Sequence, residues 1–352
     1  MKVLAINPGS TSTKIAVYDE TGELFKKNVE HSAAELEQYP RIADQYKMRY
    51  EALARTLEES GVSAGELSAV VGRGGLLPPV KSGAYRVNES MVDRLTNRPL
   101  VDHASNLGGV LAWHIAQGRG IPAYIYDPVA VDELEDIARL TGLAEVSRKS
   151  FSHALNMRAT AIKCASALGR PYRELNLIVA HLGGGITLSV HSGGRMVDIV
   201  SDDEGPFSPE RAGRLPWKDL LELCYASDMK TMQKRLRGKG GLVSHLGTNS
   251  TLEVEAMIAK GDARAKLVYE ALAYQVAKAI GELATVVEGR VDRIALTGGI
   301  AHSALMTGWI KRRVAFIAPV EIYPGENELE SLANGALRVL RGEEEAREYD
   351  LG

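Results

Sequence analysis

The sequence predicts a duplicated α/β fold. β-rich runs alternate with helical patterns along the chain, which is typical of strands layered with helices. A strand–bend–strand unit also occurs twice, around 7–10 and around 181–184, about half of the chain apart. A fold duplicated in this way sets two glycine-containing bends face to face across a cleft. Because clefts between domains favour small ligands, we expect a binding site there.

The individual elements follow from the hydrophobic pattern. An apolar run at 3–6, a polar bend at 7–13 and an alternating run at 14–18 predict a β-hairpin over 2–19. Apolar periodicity and glycine-rich breaks predict the remaining elements. In chain order these are a helix over 34–60, a strand over 67–75, a loop entering a helix over 103–117, a β run over 121–129, a helix over 148–168, three strands over 175–199, a long helix over 265–287, a strand leading into a loop over 291–303, and a final helix over 328–342.

The composition is that of a globular protein and excludes several other classes. A length of 352 residues fits one large or two ordinary domains, and 45% hydrophobic with 25% charged residues leaves room for a core. The net charge of −3, with both signs interspersed, argues against a nucleic-acid partner. Aromatic residues make up 6% of the chain, too few for a surface that stacks bases.

We expect a cytoplasmic protein that is not in the membrane. The sequence has no apolar run of about 18 residues, so no membrane span is expected. The N-terminus has the pattern of a strand rather than that of a signal peptide. Cys164 and Cys224 are far apart and lack metal-ligand spacing, which is typical of a reducing compartment.

Three bends have the composition of phosphate-binding loops. In the first, at 7–13, Gly9 lets successive N–H groups converge on an anion, four hydroxyls add donors and Lys14 adds charge. The alternative is an ordinary hairpin with a hydrophilic tip. The second bend, at 181–189, favours the phosphate interpretation because both halves share the feature, and a third loop at 296–303 also follows a strand. The sequence contains neither a P-loop nor a dinucleotide fingerprint.

Five ionisable residues stand in or beside glycine- and proline-containing loops. They are Arg73, His103, Asp127, His153 and Arg211. Taken singly, each is more often structural than catalytic, since an arginine between glycines can be a solvated turn residue and a histidine before a helix can be a cap.

The bends and these loops belong to a set of eight segments spread over nearly the whole chain. In order they are INPGSTSTKIAVYD, GRGGLLPPV, DHASNLGG, DPVAVDELEDIAR, NLIVAHLGGGI, EGPFSPER, GKGGLV and LTGGIAHS. In this order they resemble the segments of the butyrate kinases, within the acetate kinase branch of the sugar-kinase/Hsp70/actin superfamily.

The resemblance implies a fold, an activity and partners. The fold is the duplicated ribonuclease-H-like type, with a first domain of 1–150 plus the closing helix at 326–352, a nucleotide-binding second domain of 151–325, and the nucleotide in the cleft. The activity is reversible phosphoryl transfer between ATP and a short-chain fatty acid, with Mg²⁺. Butyrate, isobutyrate or valerate is the expected acceptor, and acetate or propionate is the alternative. A homodimer or higher oligomer is also implied.

The resemblance further assigns roles to residues at matching motif positions. Arg73, Asp127, His153 and Arg211 are implied as catalytic, Arg73, Gly75 and His103 as acid-binding, and Asn7 and Glu328 as the Mg²⁺-side residues, with Glu326 as the alternative to Glu328. The nucleotide-binding residues implied are Ser10, Ser12, Lys14, His181, Gly183, Gly184, Gly185, Gly298, Gly299, Ile300 and Ser303.

Three positions bear on the length of the acid. Acetate kinases carry bulky apolar residues where this chain has Gly75, Asp102 and Ser152, and two of these are much smaller. The comparison predicts a wider acyl pocket and a preference for four- or five-carbon acids. In "LGTNSTLEV" (246–254) Ser250 and Leu252 stand where the family resemblance leads us to expect an acidic and a basic residue, which leaves the adenine contacts of that segment open.

Two other classes of protein share parts of this pattern. A non-catalytic, nucleotide-gated module would share the phosphate bends, but it would not need arginines and histidines in separate loops. A sugar kinase would use an aspartate to deprotonate a hydroxyl, and Asp127 could serve. Arg73 and Arg211 favour an anionic acceptor instead.

Overall fold

The structure is a computed structural model that describes residues 1–350. Its strands are β1 (Lys2–Pro8), β2 (Ser12–Asp19), β3 (Gly22–Glu30), β4 (Leu67–Arg73), β5 (Ala84–Arg86), β6 (Ala123–Tyr126), β7 (Leu177–Leu182), β8 (Ile186–Ser192), β9 (Arg195–Val200), β10 (Arg293–Gly298), β11 (Val320–Pro324) and β12 (Arg347–Glu348). Its α-helices are α1 (Ala33–Leu36), α2 (Tyr46–Glu59), α3 (Glu89–Thr96), α4 (Asn106–Gln117), α5 (Asp136–Arg139), α6 (Ala154–Ala167), α7 (Trp217–Tyr225), α8 (Met229–Leu236), α9 (Gly241–Leu246), α10 (Thr251–Ala259), α11 (Ala263–Val286), α12 (Ala304–Val314) and α13 (Glu328–Leu340).

The chain divides into two compact units. The first comprises Met1–Asp132 and the chain from Asn327 onward, and the second comprises Glu133–Glu326. The first break therefore falls before the boundary at 150 that the sequence suggested. Residues 133–150 belong to the second unit because Arg148 binds Asp198 at 2.9 Å and Glu204 at 3.1 Å. The helix predicted over 148–168 is shorter than expected, because residues 148–153 are not helical and α6 begins at Ala154.

The first unit is built on a seven-stranded mixed sheet. Its strand order is β12-β5-β6-β4-β1-β2-β3, with β1, β2 and β3 antiparallel and β1, β4 and β6 parallel. Apolar side chains of β1 and β2 pack with those of α4, and Leu4, Ile15 and Leu111 are fully or almost fully buried. The hydrophobic pattern of the sequence thus forms the core beneath the strand ends.

The second unit repeats this plan with five strands in the order β11-β10-β7-β8-β9. β7, β8 and β9 are antiparallel, and β10 and β11 continue the sheet in parallel on the other side of β7. The long helix α11 and α12 contribute most of the helical side of its core. Three antiparallel strands followed by parallel ones occur in both units, so the predicted duplication is confirmed.

Among the helices described, we find none that combines the length and apolarity needed to cross a membrane.

Candidate functional site

In the first unit, three predicted site residues meet at the carboxyl ends of β1 and β4. The two strands are parallel neighbours with Ile6 opposite Gly72, so Asn7 and Arg73 emerge side by side. The Arg73 guanidinium lies 2.9 Å from a Glu328 carboxylate oxygen and 3.4 Å from the Asn7 amide oxygen. The Asn7 amide nitrogen donates to Glu328. The carboxyl ends of parallel strands are where α/β proteins bind ligands.

The same geometry separates the two candidate glutamates. Glu328 begins α13 and contacts Asn7, whereas Glu326 belongs to the second unit, 3.6 Å from the His181 ring nitrogen Nε2. Mg²⁺ prefers oxygen ligands and usually takes one or two carboxylates together with substrate phosphates. Glu328 offers a carboxylate and the neighbouring Asn7 an amide oxygen, which here accepts from Arg73, so the two side chains have the oxygen donors that fit the ion. Within residues 1–350 there is no group of three or more His, Cys, Asp or Glu arranged to hold a metal by itself.

Asp127 and His103 also have defined surroundings in the first unit. Asp127 follows β6, is 3% exposed, and accepts a 2.6 Å hydrogen bond from the Gly83 backbone N–H. Its φ of 39° is left-handed, a strained conformation for a non-glycine residue that is common at functional sites. Partial desolvation lowers the pKa of His103, and the charge of Arg73 lowers it further. A neutral imidazole next to Arg73 does not compete with it for an anion.

The surroundings of Gly75 disagree with a role in widening an acyl pocket. A Cβ at Gly75 would lie 2.7 Å from Asn106 Cα and 2.9 Å from Leu95 Cδ2, so packed atoms already fill this direction. The Asn106 side chain also accepts a 2.9 Å hydrogen bond from the Leu76 N–H. Gly75 is therefore a close-packing glycine that lets the loop after Arg73 approach α4. Asp102 likewise has a local partner, since its carboxylate accepts from the Ile42 N–H at 2.8 Å.

The first polar bend is held from behind by a residue that the sequence analysis missed. Arg49 on α2 is fully buried and donates to backbone carbonyls of the bend, including those of Gly9 and Ser10. Ser10 and Lys14 are exposed, so their side chains remain accessible. An arginine within an amphipathic helical pattern gives no sequence signal of this contact.

In the second unit, two predicted histidines stack on each other. The rings of His153 and His181 are 3.9 Å apart and nearly parallel. His153 precedes α6 and its Nδ1 lies 2.9 Å from the Thr187 hydroxyl, while His181 Nδ1 lies 2.9 Å from the Asn156 side-chain oxygen. Thr187 and Asn156 thus fix the orientation of both rings, and neither was identified from the sequence.

Arg211 belongs to a cluster of three charged residues in the second unit. Both Arg211 and Arg237 bind the same oxygen of Asp202, whose side chain is 7% exposed. The two arginines face each other as an isolated β-bridge, which brings their side chains to the same carboxylate. Two cations share one anion here, so the cluster carries a net positive charge. Asp202 and Arg237 were missed, although the acidic run at 202–204 is a visible signal.

The second bend contacts Arg211 at a glycine. A Cβ at Gly185 would lie 2.9 Å from Arg211 Nη2, so the arginine rests against the backbone of the bend. The Ser208 hydroxyl donates to the Gly184 carbonyl at 2.7 Å, which anchors the bend from the same side. A Cβ at Gly184 would meet no described atom within 4 Å, so its outer face is open.

The third loop ends the strand beside the second bend. β10 runs parallel to β7 with Thr297 opposite His181, so the loop beginning at Gly298 lies next to the second bend. Gly298 has φ +90° and a Cβ there would lie 2.7 Å from the Leu182 carbonyl carbon, so the position requires glycine. Ser303 caps α12 and also donates to Glu255 at 2.5 Å. Gly299 and Ile300 lie between them in a short 3₁₀ helix.

Comparison with solved structures defines the class of fold. An acetate kinase from Porphyromonas gingivalis matches with a TM-score of 0.80 at 19% identity, over 96% of this chain and 99% of that chain. A propionate kinase from Francisella tularensis subsp. tularensis SCHU S4 matches with a TM-score of 0.74 at 17% identity, over 95% and 98%. A ROK hexokinase from Thermus thermophilus matches with a TM-score of 0.51 at 16% identity, over 96% of this chain and 100% of that chain. The chain has the two-domain α/β fold shared by acetate kinases and ROK sugar kinases, as predicted.

A family comparison is more specific for part of the chain. Residues 146–315 match the model of the Acetokinase family. The matched segment contains His153, His181 and Arg211. The similarity thus includes the predicted residues of the second unit.

Proposed function

We propose that the protein is a short-chain carboxylate kinase that transfers the γ-phosphoryl group of ATP reversibly to a carboxylate, with a four- or five-carbon acid as preferred acceptor. The observation that carries the proposal is the Arg73 guanidinium, which is already bound to a carboxylate, that of Glu328, at the carboxyl ends of β1 and β4. A planar guanidinium binds carboxylates through paired hydrogen bonds, so the site suits an anionic acceptor.

The chemistry of a carboxylate acceptor matches the residues available. A carboxylic acid is ionised at neutral pH, so it needs no strong base. In the forward direction a carboxylate oxygen attacks the γ-phosphorus, the bond to the β–γ bridging oxygen breaks, and ADP leaves with that electron pair. No proton is transferred. The difficulty is that an anion must approach a polyanion, so catalysis depends on positioning and positive charge.

We assign that charge to arginine and histidine side chains. In the proposal Arg73 binds the carboxylate, while Arg211 and His153 donate to the equatorial oxygens of the transferring group. The net positive charge of the Arg211 cluster supports its role. Asp127, fixed by the Gly83 N–H, orients a cation or a bound water rather than acting as a base.

The nucleotide is assigned to the three bends. Ser10, Ser12 and Lys14 contribute hydroxyls and charge, and the bends at 183–185 and 298–303 contribute backbone that is open at Gly184 and Gly299. Glu328 and Asn7 would hold Mg²⁺, which neutralises phosphate oxygens when bound. The neighbouring positions of these two oxygen-bearing side chains support the assignment.

The length of the acid is the finer part of the proposal. It rests on the resemblance to butyrate kinases and on the small, buried Ser152, since Gly75 opens no space. Each additional buried CH₂ contributes about 0.8 kcal/mol, so two methylenes favour butyrate over acetate by about tenfold. The family match and the acetate and propionate kinase structures support the shorter acids as the second candidate.

One assay separates these possibilities. Purified protein is incubated with ATP, Mg²⁺ and hydroxylamine, which traps acyl phosphates as hydroxamates, in the presence of acetate, propionate, butyrate, isobutyrate or valerate. We expect the highest kcat/KM with four- and five-carbon acids. Preference for acetate would refute the finer proposal alone. Phosphorylation of glucose without hydroxamate would favour a sugar kinase, and acceptor-independent ATP turnover would favour a nucleotide-gated module.

A further inference from the structure

Arg49 is the largest fully buried side chain of the first unit, and its guanidinium faces the first polar bend. Nη1 donates to the Gly9 carbonyl at 2.9 Å, to the Ser12 carbonyl at 3.2 Å and to the Thr13 hydroxyl at 3.0 Å. Nη2 donates to the Ser10 carbonyl at 3.1 Å. The rigid guanidinium group thus donates to four oxygen atoms within the five residues 9–13.

The charge of Arg49 has no carboxylate opposite it. The remaining donors go to the neutral amide oxygen of Gln45, at 2.9 and 3.2 Å. Within residues 1–350 no carboxylate lies within ion-pair distance of Arg49, and burial alone lowers its pKa to about 10. The nearby His31 adds no second positive charge, since burial and the Arg49 charge lower the pKa of that histidine. Buried charges are normally paired, and an unpaired one is costly.

The orientation of the bend follows from these bonds. Carbonyl groups of Gly9, Ser10 and Ser12 point inward to Arg49, and the Gly9 N–H is bound to the Ser12 carbonyl at 2.7 Å. The exposed side of the bend is left with the Ser10 and Thr11 hydroxyls, and Lys14 follows in β2. A bend whose carbonyls are withdrawn on one side presents donors on the other, as an anion site requires.

We propose that Arg49 is a positioning residue for the phosphates of the nucleotide. It fixes the donor face of the bend at 9–13, and its buried charge is balanced by the phosphate chain bound on the opposite side. This inference rests on the proposed function for the identity of the anion. A purely structural role would affect all nucleotides alike, whereas this role makes the effect of Arg49 on affinity grow with the number of phosphate charges on the nucleotide.

The test compares variants at Arg49 with a control on the same helix. Arg49→Met removes the charge and the fork, Arg49→Lys keeps the charge alone, and Arg55→Met removes an exposed arginine of α2. Binding of ATP, ADP and AMP to each purified protein is measured by calorimetry. We expect Arg49→Met to weaken the affinity for ATP at least tenfold and the affinity for AMP less than twofold. Arg49→Lys should have an intermediate ATP affinity, and Arg55→Met should bind as the wild type does.

Two further measurements keep the test decisive. The KM for the acid should change by less than twofold in Arg49→Lys while the KM for ATP rises, and this variant carries the test if Arg49→Met does not fold. An equal loss of affinity for ATP and for AMP, or an unchanged ATP affinity in a folded Arg49 variant, would overturn the inference. A wild-type protein that binds ATP but phosphorylates no carboxylate would refute the proposed function and leave the nucleotide titration valid. Failure of the wild type to bind any nucleotide would overturn both.

Discussion

Replacing Gly75 with alanine distinguishes a packing role from a role in the acyl pocket. The new Cβ would lie 2.7 Å from Asn106 Cα and 2.9 Å from Leu95 Cδ2, closer than real Cβ contacts allow. Asn106 begins α4, so its Cα cannot move without shifting that helix, and the Leu95 side chain on α3 is buried in the core. The loop at 74–76 must move instead, and Arg73 is attached to it.

The magnitude follows from two effects. Overpacking of a filled core costs about 1–3 kcal/mol. Displacement of the loop also breaks the 2.9 Å hydrogen bond from the Leu76 N–H to Asn106, which contributes about 1 kcal/mol. We therefore expect Gly75→Ala to lower the free energy of unfolding by about 2–4 kcal/mol. Because a displacement of about 1 Å can cost about 100-fold in rate, kcat/KM should fall about tenfold or more.

The assay measures urea unfolding together with kcat/KM for acetate, propionate and butyrate. A displaced Arg73 affects all carboxylates alike, so we expect the butyrate-to-acetate ratio to stay within twofold of wild type. The matched control is Gly118→Ala, at the C-terminus of α4, where a Cβ would meet no described atom within 4 Å. A Gly75→Ala protein as stable as wild type, with its preference shifted to acetate, would refute this reasoning and restore Gly75 to the acyl pocket.

Three further predictions follow from the site and the core. Arg73→Ala and Arg211→Ala should each lower kcat by about 10²–10³-fold with an unchanged circular dichroism spectrum, because each removes a preorganised cation; near-native turnover in both would contradict the site. Gly184→Val should fold normally, since its outer face is open, yet weaken ATP binding about tenfold with little effect on the acid; calorimetry showing unchanged ATP affinity would argue against the second bend as a phosphate site. Burial, followed by the charge of Arg158, lowers the pKa of His191 from 6.5 to about 3. As the pH falls, the unfolded state therefore binds a proton at this histidine before the folded state does, and the free energy of unfolding decreases between pH 6.5 and pH 3. Between pH 6.5 and 5 the free energy of unfolding, measured in urea, should fall by about 2 kcal/mol more in the wild type than in His191→Gln. An equal decrease in both proteins would contradict the lowered pKa of His191.

The sequence predicted those parts of the fold that local pattern determines. Alternating strands, the two polar bends and the long helix α11 each lie within a short window, so periodicity and glycine placement identify them. Asn7 and Glu328 are 321 positions apart, and only the resemblance to a known family suggested that they act together. Periodicity identifies the elements, whereas the partners across a site depend on tertiary packing.

The missed residues share a physical reason. Arg49, Asp202 and Arg237 act through contacts between elements distant in sequence, and their types are common on solvated surfaces. Gly75 is ambiguous in sequence because the absence of a side chain looks the same whether the space is empty or filled by a neighbour. Only the positions of Asn106 and Leu95 distinguish the two cases.

In the structure Glu328 occupies the Arg73 guanidinium to which the proposal assigns the acid. If Arg73 receives the acid as proposed, each acid molecule must displace a tethered carboxylate 2.9 Å from the guanidinium. The apparent dissociation constant of the acid then equals its intrinsic value divided by the fraction of molecules in which Arg73 is released. If Mg²⁺ bound with the nucleotide takes Glu328, that fraction increases. The acid then binds more tightly to the protein that already holds Mg²⁺ and nucleotide than to the free protein. Initial-rate kinetics would then show an ordered sequence, with the acid entering second.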